Sequence, residues 1–390
     1  MSYIFDGTTF LRRHLTAIRD NTSEAGIYPA IAPIGGGFGG PLWESVGIIM
    51  PWQNYLQYGD VDALRSHYPS MVKYLDRVLE NYIDPVDGHY CGQTGWGGLG
   101  DWLGFEVQKN ENSLIFDCYL VYELELMGKM SAALGEDSSR WERAREVRRA
   151  YIADHYFNDD GSSRRLDGSL VDTQTSYVLP LAFDVLDDAL KSKVLQQLVR
   201  VAERPGASDD GKYYPEYSLM TGFIGTPWIT YALSENGRAD LAYKMLLNNT
   251  FPSWLYPVTQ GATTIWERLN SLTAEDGFGG NNSMNSFNHY AFGSVLDWMM
   301  ERSLGIDQDE SSPGFHHFYL RPVPDPSGGL KEASGWYDSP YGRICSSWKR
   351  SGNKLRYKFT VPANTTATLI LPGEDPRELV AGEYEFGTKF

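Results

Sequence analysis

The sequence predicts a mainly α-helical protein, a toroid of helices followed by a small antiparallel β-sandwich. Three observations predict it. Apolar residues recur at helical spacing through the first three hundred residues. The loops between those stretches are either short or long, and the long ones are rich in Gly and aromatic residues. After about residue 305 the pattern changes to the period-two alternation of half-buried strands.

The elements follow in chain order. Helical stretches are predicted over 5–19 and 45–57. Met71, Val72, Leu75, Val78, Leu79 and Tyr82 form an apolar stripe, predicted to open at Ser70 after Pro69. The stretch 112–134 is apolar on most sides and is predicted to be central. Trp141, Ala144, Val147 and Tyr151 make a second stripe, on a helix otherwise rich in Arg and Glu. Further helices are predicted over 172–184, 188–203, 226–235, 237–248 and 286–302. The long loops are 29–43, 87–106 and 251–284, and loops of that length in a compact domain usually carry function. Beyond them, Leu355, Tyr357, Phe359 and Val361 alternate with polar residues. Ser351-Gly352-Asn353 is a turn between two strands, and Pro362-Ala363-Asn364 turns into a third. The predicted division is 1–305 and 306–390.

Composition excludes several functions. A net charge of −16 argues against nucleic acid and anionic membranes as partners. No run of about 18 apolar residues exists and no basic, then apolar, leader opens the chain, so a soluble protein of undetermined compartment is expected. Cys91, Cys118 and Cys345 lack metal or disulfide spacing and are expected to be buried thiols. No GxSxG, P-loop or HExxH pattern is present, and neither metal nor cofactor is expected. Aromatic residues make up 14% of the chain, which suits a carbohydrate partner, because one face of a pyranose is apolar.

Polar groups gather among aromatics in three loop stretches. The first is Gly35 to Ser45, containing Trp43 and Glu44. The second is Gly95-Trp96-Gly97-Gly98-Leu99-Gly100-Asp101-Trp102, followed by Glu106. The third runs from Gln260 through Trp266-Glu267-Arg268 and resumes at Phe287-Asn288-His289-Tyr290. Glycosidic cleavage needs two carboxyl groups, one to protonate the leaving oxygen and one to activate water or attack carbon. From the residues alone, Glu267 beside Arg268 is either a base held ionised by the guanidinium or one half of a structural ion pair. Asp101 is either a ligand contact or a capping group. Trp43 is a sugar platform or a core plug, and His289, with Asn288 beside it, is a sugar contact or a core histidine.

These stretches also carry a resemblance. Gly-Ala-Thr-Thr-Ile-Trp-Glu-Arg (261–268) and Asn-His-Tyr-Ala-Phe-Gly-Ser-Val (288–295) closely resemble α-L-rhamnosidases of the glycoside hydrolase 78 type. Pro51-Trp52, Tyr58-Gly59-Asp60, Gly100-Asp101-Trp102, Thr221–Thr226 and Asp338–Trp348 are similar as well. The likeness runs nearly end to end. It implies an (α/α)6 barrel, lacking its first portion, then a β-sandwich. It implies hydrolysis of terminal α-L-rhamnosides with inversion and Glu267 as general base. Trp43, Trp102 and His289 would shape the sugar pocket, Asp101 would contact sugar hydroxyls, and Arg268 would hold Glu267 oriented.

Two departures matter. In the family the general acid lies in a stretch that would precede Met1, so the acid is expected outside these residues and the incomplete toroid is expected to self-associate. The family often has Trp-Gly-Asp where this chain has Trp43-Glu44-Ser45. Glu44 and Glu106 are the alternative acids, an assignment that needs a raised pKa and a separation of roughly 6.5–9.5 Å from the base. A rhamnose-binding module without activity, or an enzyme acting on another 6-deoxy or uronic sugar, are the competing readings.

Overall fold

The computed structural model describes residues 2–37, 39–91, 98–279 and 282–389. Its helices are α1 (Thr8–Asp20), α2 (Pro41–Glu44), α3 (Val46–Tyr58), α4 (Val61–Asn81), α5 (Asn112–Leu134) and α6 (Ser139–Tyr156). Then come α7 (Gln174–Ala182), α8 (Asp188–Ala202), α9 (Thr226–Ser234), α10 (Ala239–Leu247), α11 (Tyr256–Thr259) and α12 (Val295–Trp298). Two short strand pairs interrupt them, β1 (Ser163–Arg164) with β2 (Leu170–Val171), and β3 (Gly206–Ala207) with β4 (Tyr213–Tyr214).

The helices pack as hairpins in series. α3 lies on α5, α5 on α7, α7 on α9 and α9 on α12, while α4, α6, α8 and α10 each pack on the helix before them. Residue pattern explains the two layers. α5 buries Leu114, Phe116, Leu120, Leu124 and Met127 on several sides, as a central helix must. α6 buries only Trp141, Arg148, Ile152 and Tyr156 and turns its other faces to solvent. The beginning and end of the helical run meet through Tyr3, whose hydroxyl donates to Glu301 Oε1 at 3.0 Å.

Local chemistry sets the joints. Gly59 ends α3 at φ +69, a conformation that suits glycine. Asp60 then caps α4 by accepting from Ala63 N–H at 3.0 Å, and Arg12 of α1 grips the same carboxylate at 2.7 and 2.8 Å. Tyr58-Gly59-Asp60 is thus a helix stop and restart. Because that cap lies ahead of Pro69, α4 begins nine residues earlier than the predicted opening at Ser70 and carries Pro69 inside it. Its buried face, from Ala63 and Leu64 to Leu75 and Val78, runs across the proline.

The predicted helix over 286–302 also differs. A 3-10 turn starts at Ala291, α12 follows, and Met299–Ser303 is π-helical. Residues 286–289 stay outside it because they pair with 264–267, as described below.

The last segment forms two four-stranded sheets from β5 (Ile306–Gln308), β6 (His317–Leu320), β7 (Glu332–Ser339), β8 (Gly342–Ser351), β9 (Lys354–Val361), β10 (Thr366–Leu369), β11 (Arg377–Leu379) and β12 (Gly382–Lys389). One sheet, ordered β12-β9-β8-β7, is antiparallel throughout. The other, β11-β10-β6-β5, contains a parallel pair, β6 with β10, so the expectation of a purely antiparallel domain is corrected. The whole β7–β9 meander intervenes between those two strands, a connection long enough for parallel pairing. Leu355, Tyr357, Phe359 and Val361 are all buried, as their alternation requires. Trp348 Nε1 donates to Ser303 O at 2.8 Å, fastening the sheet to the end of the helical run. No helix among the described residues is long and apolar enough to cross a membrane.

Candidate active site

Glu267 sits where two loop stretches run side by side. Its own N–H donates to Ser286 O at 2.8 Å, and Ser286 N–H returns a bond to Glu267 Oε2 at 2.7 Å. Two residues before Glu267, Ile265 O accepts from His289 N–H at 2.8 Å. This short ladder fixes the carboxylate by backbone. Among the described residues no hydrogen bond reaches Oε1, and Glu267 is half-buried, so one oxygen keeps its lone pairs for an incoming group.

His289 stands on the same ladder. Its ring stacks on Phe223 with centroids 5.1 Å apart and on Tyr290 at 5.4 Å. Nδ1 accepts Ala291 N–H at 3.3 Å, which leaves the proton of the neutral ring on Nε2 as a donor. Asn288 is exposed, and its backbone N–H donates to Ser286 Oγ at 3.2 Å.

Arg268 does something other than expected. Its Nε donates to Met284 O at 2.9 Å and its N–H to Ser271 Oγ at 3.2 Å. Among the described residues it forms no ion pair with Glu267. The Ser286 backbone does the orienting instead, a contact that pairs residues nineteen apart and leaves no sequence pattern.

Asp101 also departs from its expected role. It is 1% exposed, and its carboxylate accepts from the N–H groups of Gly222 (2.8 Å), Ile224 (2.9 Å) and Gly225 (2.9 Å) and from the Thr175 hydroxyl. Burial pushes its pKa up while these donors pull it back. Four donors fill its four lone-pair positions, so a sugar hydroxyl finds no place there. What Asp101 does is staple the 100–104 loop to the 221–225 loop. Phe223 N–H adds a bond to Trp102 O at 2.8 Å. A Cβ on Gly222 would lie 2.2 Å from Trp102 O, so this close approach admits only glycine. The staple sets Trp102, half-buried, and Phe223, the ring on which His289 stacks, beside each other.

Trp43 is half-buried and packs against the main core. Its neighbour Glu44 is buried, accepts the Tyr82 hydroxyl at 3.3 Å and has its pKa raised to about 7, chiefly by burial. Glu123 of α5 faces it. That carboxyl is buried, accepts from Tyr74 at 3.4 Å, and is raised to about 8 by burial and by the nearby charge of Glu44. Sequence reasoning overlooked this pair, although a carboxylate within an otherwise apolar helix was the available signal. Glu106 is also raised to about 7 by burial, yet its Oε2 accepts Gln174 N–H at 2.9 Å and so serves the first turn of α7. Trp96 lies outside the described residues.

Elsewhere, Cys118 is buried as expected, Cys345 is intermediate, and Cys91 is exposed, which corrects its expected burial. Asp84, Asp87 and His89 bring three possible ligand atoms within 4.8 Å of one another on the surface.

Comparison with known proteins shows the family of the chain. Residues 1–302 match the bacterial alpha-L-rhamnosidase 6 hairpin glycosidase domain, and residues 305–385 match the bacterial alpha-L-rhamnosidase C-terminal domain. The chain is 31% identical to an alpha-L-rhamnosidase of Streptomyces avermitilis, covering 96% of this chain and 34% of that protein. It is 32% identical to one of Formosa agariphila, covering 95% and 38%. The structure of a Streptomyces avermitilis alpha-L-rhamnosidase complexed with L-rhamnose superposes with a TM-score of 0.83 at 29% identity, over 98% of this chain and 36% of that one. An Aspergillus terreus enzyme superposes with a TM-score of 0.84 at 28% identity, over 99% and 44%. The chain therefore spans between about a third and less than half of the length of these relatives, and it belongs to the bacterial alpha-L-rhamnosidase six-hairpin glycosidase family.

Proposed function

We propose that this chain is the part of an α-L-rhamnosidase that binds terminal L-rhamnose and activates water for its hydrolysis with inversion. The observation that carries the reading is the geometry of Glu267, with Oε2 tied down by Ser286 N–H and Oε1 unbonded among the described residues. Such a carboxylate is oriented without being used up. In the proposed step Oε1 takes a proton from water as the water oxygen attacks the anomeric carbon, and the glycosidic bond breaks on the opposite face, its electron pair leaving on the aglycone oxygen, which departs as phenolate from an aryl rhamnoside or takes a proton from solvent. His289 Nε2–H donates to a sugar hydroxyl, and the rings of Trp43 and Trp102 wall the pocket against the sugar's apolar face and methyl group. That a relative was crystallised with L-rhamnose supports the choice of sugar. The proposed frame is an (α/α)6 barrel over 1–305 and a β-sandwich over 306–390, supported by the serial packing of the helical hairpins and the two sheets.

Glu267→Gln tests the reading. Turnover of an aryl α-L-rhamnoside should fall by at least ~10²-fold while calorimetric binding of L-rhamnose persists. Retained turnover sinks the assignment of Glu267 as base.

A second reading is a rhamnose-binding unit that is inactive by itself. It is favoured by the enclosure of both alternative acids, Glu44 against Tyr82 and Glu106 against α7. Rhamnose binding without any turnover of p-nitrophenyl α-L-rhamnoside would select it.

A further inference from the structure

The solvent side of the β12-β9-β8-β7 sheet carries a charge opposite to that of the chain as a whole. Residues 349–358, the end of β8 and the first half of β9, hold five cations and no carboxylate in a chain of net charge −16. Strand alternation turns most of these cations outward. Leu355, Tyr357 and Phe359 are buried, whereas Lys354, Arg356 and Lys358 are exposed, as is Lys349 of β8. Register adds another cation from the edge strand, because Lys389 of β12 stands directly opposite Lys354.

A cleft of about 920 Å³ opens at this corner, with Lys349, Lys354, Arg356 and Lys389 among its walls. Gly387, which also lines it, pairs with Arg356 and lies between Glu385 and Lys389 on the same face. A Cβ there would meet only Leu355 O, at 3.7 Å, so the missing side chain leaves an open notch.

Ion pairing offsets part of the charge. Lys349 Nζ lies 2.5 Å from Glu332, and Arg356 and Lys358 share Glu385 at 3.3 and 3.5 Å. Lys354 and Lys389 form no ion pair among the described residues. Like charges directly opposite each other on neighbouring strands destabilise a sheet. An anion set between the two ammonium groups reverses that cost and gains charge-assisted hydrogen bonds.

Spacing decides which anion fits. Lys354, Arg356 and Lys358 recur at every second residue, about 7 Å apart along the strand. Phosphates of a nucleic-acid strand recur every ~3.4 Å, so half of them would lack a cation, and Glu332 and Glu385 would repel them. A polymer with one carboxylate per sugar ring suits the wider spacing, and its hydroxyls can bond to Glu385, Ser347 and Ser351. Farther along the same face Trp336 is 57% exposed, with Arg343 over its ring at 5.1 Å, and an exposed indole suits the apolar face of a pyranose. Exposed charges act over only about 8 Å at physiological salt, so the local cations outweigh the acidic remainder of the chain here.

We propose that this sheet face is a docking surface for an acidic polysaccharide, a chain of uronic acid residues whose carboxylates sit on Lys354, Lys389 and Arg356 and one of whose rings stacks on Trp336. The surface is independent of the role of Glu267.

The test is calorimetric titration of the full chain with an octagalacturonate, maltooctaose, a heparin octasaccharide and a short oligothymidylate, at about 50 and about 200 mM salt. The octagalacturonate should bind with a Kd below ~1 mM at the lower salt and severalfold more weakly at the higher. Lys354→Gln combined with Lys389→Gln should weaken it about tenfold while the melting temperature holds or rises, because the change removes a repulsion. Trp336→Ala, and Gly387→Trp, which fills the notch, should each weaken it severalfold. L-rhamnose binding should be the same in all these variants. Absent octagalacturonate binding, or binding unchanged by the double lysine substitution, overturns the proposal. So does maltooctaose binding as tightly, which would show that the cations play no part. Heparin or oligothymidylate binding more tightly than the octagalacturonate also overturns it, showing a surface for dense polyanions.

Discussion

Replacing Glu123 with glutamine should make the protein more stable in mildly alkaline solution and change little in acid. Glu123 is raised to about 8 by burial and by Glu44, from the ordinary glutamate value of 4.5. The folded chain therefore holds this proton more tightly than the unfolded chain does. The contribution is fully present below about pH 4.5 and is lost as pH rises through 8. Each tenfold difference in proton affinity is ~1.4 kcal/mol, so at pH 8 the ionising pressure on Glu123 costs about 4 kcal/mol as an upper bound, and at pH 5 about 1 kcal/mol. Glutamine keeps the shape and the contact with Tyr74 but carries no charge to desolvate. An unfolding entropy of ~2 cal/mol/K per residue puts the whole chain near 0.8 kcal/mol/K, or about 1.2 °C per kcal/mol. The assay is thermal unfolding of both proteins at pH 5, 6.5 and 8. Glu123→Gln should melt within about 2 °C of the unmodified chain at pH 5 and about 4–5 °C above it at pH 8. Two curves that run parallel across pH, or a variant less stable at every pH, would refute the reasoning.

Other outcomes follow from the same geometry. Glu44, Glu106 and Asp117 are each raised to about 7 by burial, so the unmodified chain should lose melting temperature between pH 5 and 8. A rise over that interval contradicts the directions given. Arg148 donates through Nε to Asp117 at 2.8 Å and through Nη1 to Gly88 O at 2.7 Å, both side chains being buried. Arg148→Met should cost about 3–5 kcal/mol in chemical denaturation, and Asp117→Leu added to it should recover most of that loss. Asp101→Ala leaves three backbone N–H groups and a hydroxyl without an acceptor, and should cost about 3 kcal/mol or more and lower rhamnose affinity by freeing the Trp102 loop. Unchanged melting would show that the staple is dispensable. Arg268→Ala should leave turnover of an aryl rhamnoside within a few-fold of normal, because Ser286 orients Glu267; a loss as large as that of Glu267→Gln would restore Arg268 to the site.

Much of the fold was legible because hydrophobic period is a local signal. The stripe from Met71 to Tyr82 and the alternation from Leu355 to Val361 both appear where expected. The errors arise where a distant contact competes with local preference. Asp60 starts α4 early because Arg12, forty-eight residues before it, holds the cap. Residues 286–289 leave helical geometry because Glu267 pairs with Ser286. β6 finds a parallel partner across the intervening meander. Within the site, the stretches around Glu267 and His289 were legible as polar groups set among aromatics. The donor that orients Glu267 is a backbone N–H, which no side-chain pattern records. Asp101 was legible as a ligand contact or a capping group, but not as a staple between loops, because three of its donors lie more than a hundred residues away and the fourth, Thr175, lies 74 away.

The contact between Gly104 and Gly222 has a consequence for how this site can change. A Cβ on either glycine would approach the other's backbone nitrogen or its neighbours closely, within 2.7 Å for Gly104 and 2.5 Å for Gly222. The two loops therefore form one unit of inheritance. A graft of residues 100–104 from a relative will seat only if residues 221–225 travel with it, and a library that randomises one loop alone samples sequences the other cannot accept. The Trp102 wall of the proposed pocket is thus redesigned as a pair of segments or not at all.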